Sequence, residues 1–137
     1  MPAGAARTAT GISVSISRDP ALVRTVRLVA AAVARRAARD EEFVEEVRLA
    51  VGEACALLVA AADDSPWGAP GPVEVLMRVE DRLRVSVTAL GSVTVEDAPN
   101  SDIDGVEPWA LLRGLIEDFG IVRDGARTTL TMSWPLA

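Results

Sequence analysis

The stretch Val47-Arg-Leu-Ala-Val-Gly-Glu-Ala-Cys-Ala-Leu-Leu58 decides how this chain folds. Its apolar residues recur at spacings of three and four, which predicts a helix with one buried face. The wholly apolar stripe of that helix consists of Val44, Val47, Val51, Ala54 and Leu58. The adjacent stripe consists of Glu46, Ala50, Glu53 and Leu57. Glu53 is therefore beside the core, where a carboxylate is either a paired structural charge or a working acid/base group.

Composition limits both the size of the fold and its chemistry. The chain has 137 residues, 50% of them hydrophobic, which is enough for one domain with an ordinary core. We interpret residues 1–137 as that single domain and expect residues 1–10 to be flexible. The net charge of −6 argues against a general nucleic-acid binder. All 14 basic residues are Arg, and the lack of His and Lys excludes Ser-His-Asp catalysis, histidine metal sites and a P-loop lysine.

Cysteine usage and hydropathy predict the compartment. Cys55 is the one cysteine, so no disulfide can form within the chain, as in a reducing compartment. Residues 1–11 contain no apolar core of a signal peptide, and the longest apolar run, Leu28 to Ala34, is too short to span a bilayer. We therefore expect a cytoplasmic protein.

The pattern along the chain predicts strands and helices that follow one another in a single domain. Ile12 to Ile16 alternates with serines as a half-buried strand, and Asp19-Pro20 begins a helix that runs to about Ala38. Asp40 caps a second helix that runs to about Ala62. The remaining pattern predicts a hairpin at 73–79 and 83–88, a short strand at 93–95, a third helix at 108–119 and a last strand at 128–134. This order predicts an α+β, two-layer α/β sandwich with one mixed, mostly antiparallel sheet and helices on one face.

The amino-acid sequence of the predicted second helix also resembles that of a known family. Arg48 to Cys55 reads R-L-A-V-x-E-A-C, which is similar to the acidic helix of the Bergerat-fold (GHKL, histidine kinase-like) ATPases. More narrowly, it resembles the bacterial anti-sigma factor serine/threonine kinases and their regulatory relatives. Leu112 to Phe119 and Thr128 to Pro135 resemble the same family's third helix and terminal strand. The resemblance thus covers nearly the whole chain.

The resemblance implies an ATP site, and its first half departs from the family pattern. In the family, a Glu acts as general base and an Asn four residues later holds magnesium; here these positions are Glu53 and Leu57. The first glycine box ends at Gly91, and its adenine-reading Asp is replaced by Ala89. A leucine cannot ligate a hard cation that requires oxygen. Glu53 would then be a vestigial base, or would pair with an arginine such as Arg48 or Arg113.

The second glycine box, before the third helix, departs further. The matching stretch begins at Gly105, and its glycine positions fall at about Val106 and Pro108. Proline lacks an N–H for phosphate, and Glu107 adds negative charge where a triphosphate would lie. We therefore predict that the protein uses no cofactor and is a degenerate kinase without activity, with ATP and magnesium required only if the kinase alternative holds.

The partner surface is predicted on the first helix. Residues 18–39 hold six arginines and one aspartate in an otherwise acidic chain, and a basic helix face is most often simply solvated. The family resemblance implies instead that Arg24, with Arg27, contacts a sigma factor or an antagonist of an anti-sigma factor, and that the protein forms homodimers. Two alternatives stay open: an active serine kinase with a rewired site, and a scaffold whose emptied pocket binds another small molecule.

Overall fold

The structure of this protein is a computed structural model that describes residues 11–38, 40–60, 71–91 and 118–136. Within these ranges the strands form one sheet in the order β1-β2-β3-β5-β4. All neighbouring strands in these ranges pair antiparallel, which agrees with the predicted mostly antiparallel sheet. The strands are β1 Gly11–Ile16, β2 Val73–Val79, β3 Arg82–Leu90, β4 Asp118–Asp124 and β5 Arg127–Pro135.

Two helices lie between β1 and β2 in the chain. The Oδ1 atom of Asp19 accepts a hydrogen bond from the N–H of Ala21 at 3.0 Å, and the turn Pro20–Leu22 then leads into α1, Val23–Ala37. This start and end confirm the predicted first helix within one residue. Helix α2 covers Glu41–Ala60, and the Oδ1 atom of Asp40 accepts from the N–H of Glu42 at 3.1 Å. A side-chain oxygen before the first turn satisfies an N–H that has no partner inside the helix.

Both helices cover the same face of the sheet, which makes the predicted two-layer α/β sandwich. Helix α1 contacts β2, and α2 contacts β2 and β3. The apolar stripe predicted for α2 is buried throughout, and burying each such side chain contributes about 1.5–3 kcal/mol. The inward-facing strand residues that complete the core include Val73, Val75, Met77, Leu83, Val85, Val87, Leu130, Met132 and Trp134.

The region of Asp118 and Phe119 differs from the prediction. The third helix was expected to extend to Phe119, but both residues belong to β4, which the sequence analysis missed. In β4 the side chains of Phe119 and Ile121 pack against the core, opposite Met132 and Leu130 of β5. The pairing with β5 decides the structure here, and an isolated stretch of seven residues containing a glycine gives no clear period for it.

Several other predictions fall outside the described residues. These are the flexible segment 1–10, the end of the second helix beyond residue 60, the short strand at 93–95 and the third helix up to residue 117. The prediction that the chain is a single domain stays a prediction. In the described ranges, the helices are all too short or too polar to cross a membrane.

Candidate functional site

Arg18 ties together four elements at one end of the sheet. It follows β1, and its Nε donates to the carbonyl of Gly71 at 3.1 Å, just before β2. Its two terminal nitrogens donate to the carbonyl of Leu58 in α2, at 3.0 Å, and to the carbonyl of Leu90 at the end of β3. Burial lowers the pKa of Arg18, but an arginine keeps its charge at any physiological pH. The guanidinium therefore holds the turn of α2 that contains Leu58 next to the end of β3.

Local sequence explains why a side chain has to fill this place. The register pairs Glu74 with Thr88, so two residues further along each strand Pro72 would face Leu90. Proline has no N–H to offer the Leu90 carbonyl. The carbonyl of Leu58 also receives a charge-assisted hydrogen bond from the guanidinium, which is stronger than a bond from a neutral donor. The sequence analysis missed this role of Arg18, for which the only signal was an arginine between a strand and a cap.

The predicted general base and metal position lie on one flank of α2. A different flank, the one that carries Gly52, contacts Arg27 and therefore faces α1. With 3.6 residues per turn, Glu53 and Leu57 are rotated by about 100° and 140° from Gly52, away from α1. Leu57 is 9% exposed and belongs to the core cluster, whereas Glu53 is half-buried.

The expected ion pair of Glu53 is not made with Arg48. The Nε atom of Arg48 donates to Oε1 of Glu45 at 3.1 Å, and a second nitrogen of Arg48 bonds the other oxygen of Glu45. These two residues are three apart on an exposed helix face, where such pairs form readily. Arg113, the other expected partner, lies outside the described residues. Among the described residues, Glu53 has no hydrogen bond or ion pair.

The backbone groups of Gly91, at the end of the first glycine box, are hydrogen-bonded to the neighbouring β-hairpin. Ala89 is 1% exposed and faces Thr128 of β5 across the ladder. The Thr128 hydroxyl donates to the carbonyl of Gly91 at 2.6 Å, and the N–H of Gly91 donates to the carbonyl of Ala126 at 2.8 Å. Gly91 has φ +124°, a conformation that favours glycine. Its N–H and its carbonyl are thus both bonded to the β4–β5 hairpin. Thr128, whose buried hydroxyl makes this closure, was predicted only as a strand residue.

The described residues do not fit ATP with magnesium in the manner the family implies. Leu57 presents hydrocarbon where an oxygen ligand is needed, and Ala89 presents a methyl group where a carboxylate would read an amino group. The N–H of Gly91 is already used by Ala126. Gly105 and the second glycine box lie outside the described residues. We therefore derive no chemical step through this nucleotide.

The two predicted partner-binding arginines differ in their surroundings. Arg24 is exposed on the first turns of α1. Arg27 is half-buried, and its Nε is buried without a hydrogen-bond partner. Its side chain passes directly over Gly52, at the junction of α1 and α2. Arg27 is therefore held in the junction between the helices, while Arg24 stands free of it.

Comparisons with known proteins agree with this fold. A family model described as histidine kinase-like ATPase domain matches residues 16–134. Among solved structures, the chain is similar to the RsbU and RsbW domains of Rv1364c from Mycobacterium tuberculosis, with a TM-score of 0.67 and 16% sequence identity. That alignment covers 92% of this chain and 32% of the other chain, so this chain spans about a third of that protein's length. No curated protein matches. Because the family model matches most of its length, the chain belongs to the histidine kinase-like ATPase domain family.

Proposed function

We propose that this chain is an anti-sigma factor-like regulator that acts by binding a protein. Its partner would be a sigma factor or an antagonist of an anti-sigma factor, held without being phosphorylated. The regulator would work in the cytoplasm and could pair with a second copy of itself. The family assignment supports the fold of such a regulator, and the resemblance of Arg48 to Cys55 supports its regulatory class.

Leu57 is the observation that supports the proposed loss of kinase activity. It occupies the magnesium-ligand position, and its side chain is apolar and packed in the core cluster. An oxygen ligand cannot come from this position without a change of residue. Ala89 and the fully bonded Gly91 support the same conclusion at the adenine end. A kinase would then lack both the residue that holds the metal ion and the residue that recognises the adenine.

The binding experiment takes the sigma factors and anti-sigma antagonists encoded in the same genome, each purified and titrated separately against the full chain. We expect one of them to bind in the absence of ATP, and mass spectrometry to find no phosphate on it after incubation with ATP and magnesium. Glu53→Ala should bind equally well. Binding by none of these proteins would contradict the proposal.

One observation favours the alternative of an active serine kinase. Glu53 is half-buried and, within the described part of the chain, unpaired, as a general base would be. This alternative predicts phosphate on a serine of the partner and its complete loss in Glu53→Ala. The same mass spectra therefore separate the two functions.

A further inference from the structure

We propose that the face of the sheet opposite the helices carries a binding site for a small hydroxyl-bearing carboxylate, of the class of sugar acids. Its carboxylate would lie on the guanidiniums of Arg78 and Arg84, and its uncharged body on the hydroxyls of Ser86 and Thr131. The site is separated by the sheet from both helices, and the inference goes beyond the proposed function without depending on it.

A groove of about 520 Å³ lies over this face of the sheet. Strand side chains alternate between the two faces, and those that point to the helices, including Val75, Met77 and Leu130, are buried in the core. Pockets for small molecules have volumes of about 300–1,000 Å³. The side chains that line the groove form two rows across the strands, which are Leu76, Ser86, Thr131 and Gly120 in one row and Arg78, Arg84, Ser133 and Asp118 in the other.

Small residues form the floor of the groove. Thr131 of β5 lies between Ser86 of β3 and Gly120 of β4 in the same row. A methyl group at Gly120 would lie 3.0 Å from Oγ1 of Thr131, which is tighter than ordinary van der Waals contact. Because Phe119 and Ile121 pack against the core, that methyl group would project into the groove. The absence of a side chain at position 120 therefore keeps the groove open.

Two arginines face each other across β2 and β3 at one end of the groove. The register pairs Arg78 directly with Arg84, and like charges in directly opposite positions destabilise a sheet. Arg84 approaches two acids of the turn, Glu80 at 3.4 Å and Asp81 at 3.7 Å, in exposed ion pairs that contribute little. Arg78 makes no hydrogen bond or ion pair with any described residue. An anion between the two guanidiniums would relieve their repulsion.

The other end of the groove pairs its charges within the chain. The Nε of Arg82 donates to Oγ of Ser133 at 3.1 Å, and a terminal nitrogen of Arg82 donates to Oδ2 of Asp118 at 3.3 Å. The Ser133 hydroxyl donates to the same carboxylate oxygen at 3.0 Å. Asp118 is also three strands away from Arg78, at about 4.8 Å per strand. The unpaired positive charge of the groove is therefore that of Arg78.

The chemistry of the groove selects the ligand. A guanidinium binds a carboxylate through two parallel N–H···O bonds, whereas the acids beside Arg84 would repel a multiply charged phosphate. The Ser86 hydroxyl makes no hydrogen bond with a described residue, and Oγ1 of Thr131 makes a long one, 3.4 Å, to the carbonyl of Gly120. Since a hydroxyl both donates and accepts, these two side chains match the hydroxyls of a sugar acid. An apolar ligand would leave them unpaired.

The probe is gluconate, with sorbitol as its neutral counterpart and acetate as a carboxylate without hydroxyls. Each is titrated into the full-length protein by calorimetry, and the arginine Nε–H signals are followed by NMR. We expect gluconate to bind at about 1 mM and to shift the signal of Arg78, acetate to bind about tenfold more weakly, and sorbitol not to bind. No binding of gluconate at 10-fold higher concentration, about 10 mM, would overturn the proposal. Equal binding of sorbitol would exclude the arginines, and equal binding of acetate would exclude the hydroxyls.

Arg78→Gln tests the anion end of the site. It removes the unpaired guanidinium, so the affinity for gluconate should fall at least about tenfold, the loss of a charge-assisted hydrogen bond. Arg36→Gln removes the same charge from an exposed position of α1 and should bind like wild type. Equal weakening by both variants would show a general attraction of anions and would overturn the site.

Gly120→Val and Ser86→Ala test the floor of the groove. Valine suits a strand, and at position 120 it should fill the groove and abolish gluconate binding, while circular dichroism shows the variant folded. Ser86→Ala removes one hydroxyl without filling space, so gluconate should bind about fivefold more weakly and acetate as before. Unchanged gluconate affinity in Gly120→Val, or an equal effect of Ser86→Ala on gluconate and acetate, would contradict the assigned position of the ligand.

Discussion

The end of the sheet and the junction of α1 with α2 differ in how far their polar groups are satisfied. At the end of the sheet, Arg18 donates to three carbonyls, and Gly91 uses both its N–H and its carbonyl on the β4–β5 hairpin. At the junction of the helices, Arg27 has a buried nitrogen without a partner, and Leu28 is 64% exposed.

This difference shows which of the two regions pairs its polar groups within the chain. Unpaired buried polar groups are costly, so a folded protein satisfies them internally unless something else depends on them. At the end of the sheet, Arg18 and Gly91 bond to other groups of the chain, and position 57 on α2 is a leucine. The junction of α1 and α2 keeps unpaired charge beside apolar surface, which suits protein recognition better than storage of stability.

The largest expected effect is that of Arg18→Met. It removes the three Arg18 hydrogen bonds to the Gly71, Leu58 and Leu90 carbonyls while keeping the aliphatic stem. An acceptor left without a partner costs about 1–3 kcal/mol, less where water can reach it, so we expect a loss of about 4 kcal/mol in the free energy of unfolding. Urea denaturation measures it. Arg36→Met, at an exposed arginine of α1, is the control and should change stability by less than about 0.5 kcal/mol. Equal stability of the two variants would show that Arg18 does not hold this end together.

Leu57→Asn restores the family's ligand at the magnesium position, and it should cost stability without giving nucleotide binding. Placing an amide at a site that is 9% exposed should lower the free energy of unfolding by about 3 kcal/mol. Leu49→Asn, at a leucine that is 37% exposed, should cost less than about 1 kcal/mol. Since Ala89 and Gly91 are unchanged, calorimetry should still detect no binding of ATP to the variant. ATP binding by Leu57→Asn alone would mean that the rest of the site is intact.

Cys55 offers a chemical probe of the helix junction. Burial raises the pKa of its thiol to about 11, and the charge of Arg27 opposes that rise. Because only the thiolate reacts, the folded protein at pH 8 should be modified by a disulfide reagent about 100-fold more slowly than the unfolded chain in urea. The rate should climb with pH until about pH 11. Arg27→Ala removes the opposing charge and should slow the reaction further. A faster reaction in that variant would indicate that the junction had opened instead.

The smallest effect is expected for Glu53→Ala. Glu53 is half-buried and makes no hydrogen bond or ion pair with a described residue, so its removal should change the free energy of unfolding by less than about 0.5 kcal/mol. Thermal unfolding followed by circular dichroism is sufficient to measure it. A loss above about 2 kcal/mol would reveal a structural partner and would explain why the carboxylate is retained.

The sequence predicted the elements whose residues alternate or recur clearly. The serine-interrupted strand before Arg18, the cap at Asp19 and the hairpin around Glu80-Asp81 are where the pattern placed them. The strand at Asp118–Asp124 was missed because its pairing with β5, and no local period, determines it. The resemblance to the family was carried mainly by one short stretch of α2. This helix both contributes to the core and carries the predicted general base and metal position.

The candidate site was harder to predict than the fold. Leu57 and Ala89 could be recognised as departures because the resemblance assigned a role to each position. The bonds of Arg18 and Thr128 to backbone carbonyls could not, because the partners are far away in the sequence and contribute no side chain. The difference between Arg24 and Arg27 likewise depends on the neighbouring helix, where the missing side chain of Gly52 makes room.

Calorimetric titration of the purified chain with ATP and magnesium tests the central claim most directly, once absorbance has shown that no nucleotide co-purifies. The buried leucine at position 57, the methyl group at 89 and the bonded Gly91 predict no heat of binding at millimolar ATP. Micromolar binding, an affinity of about 8 kcal/mol, would contradict this account and place the kinase first.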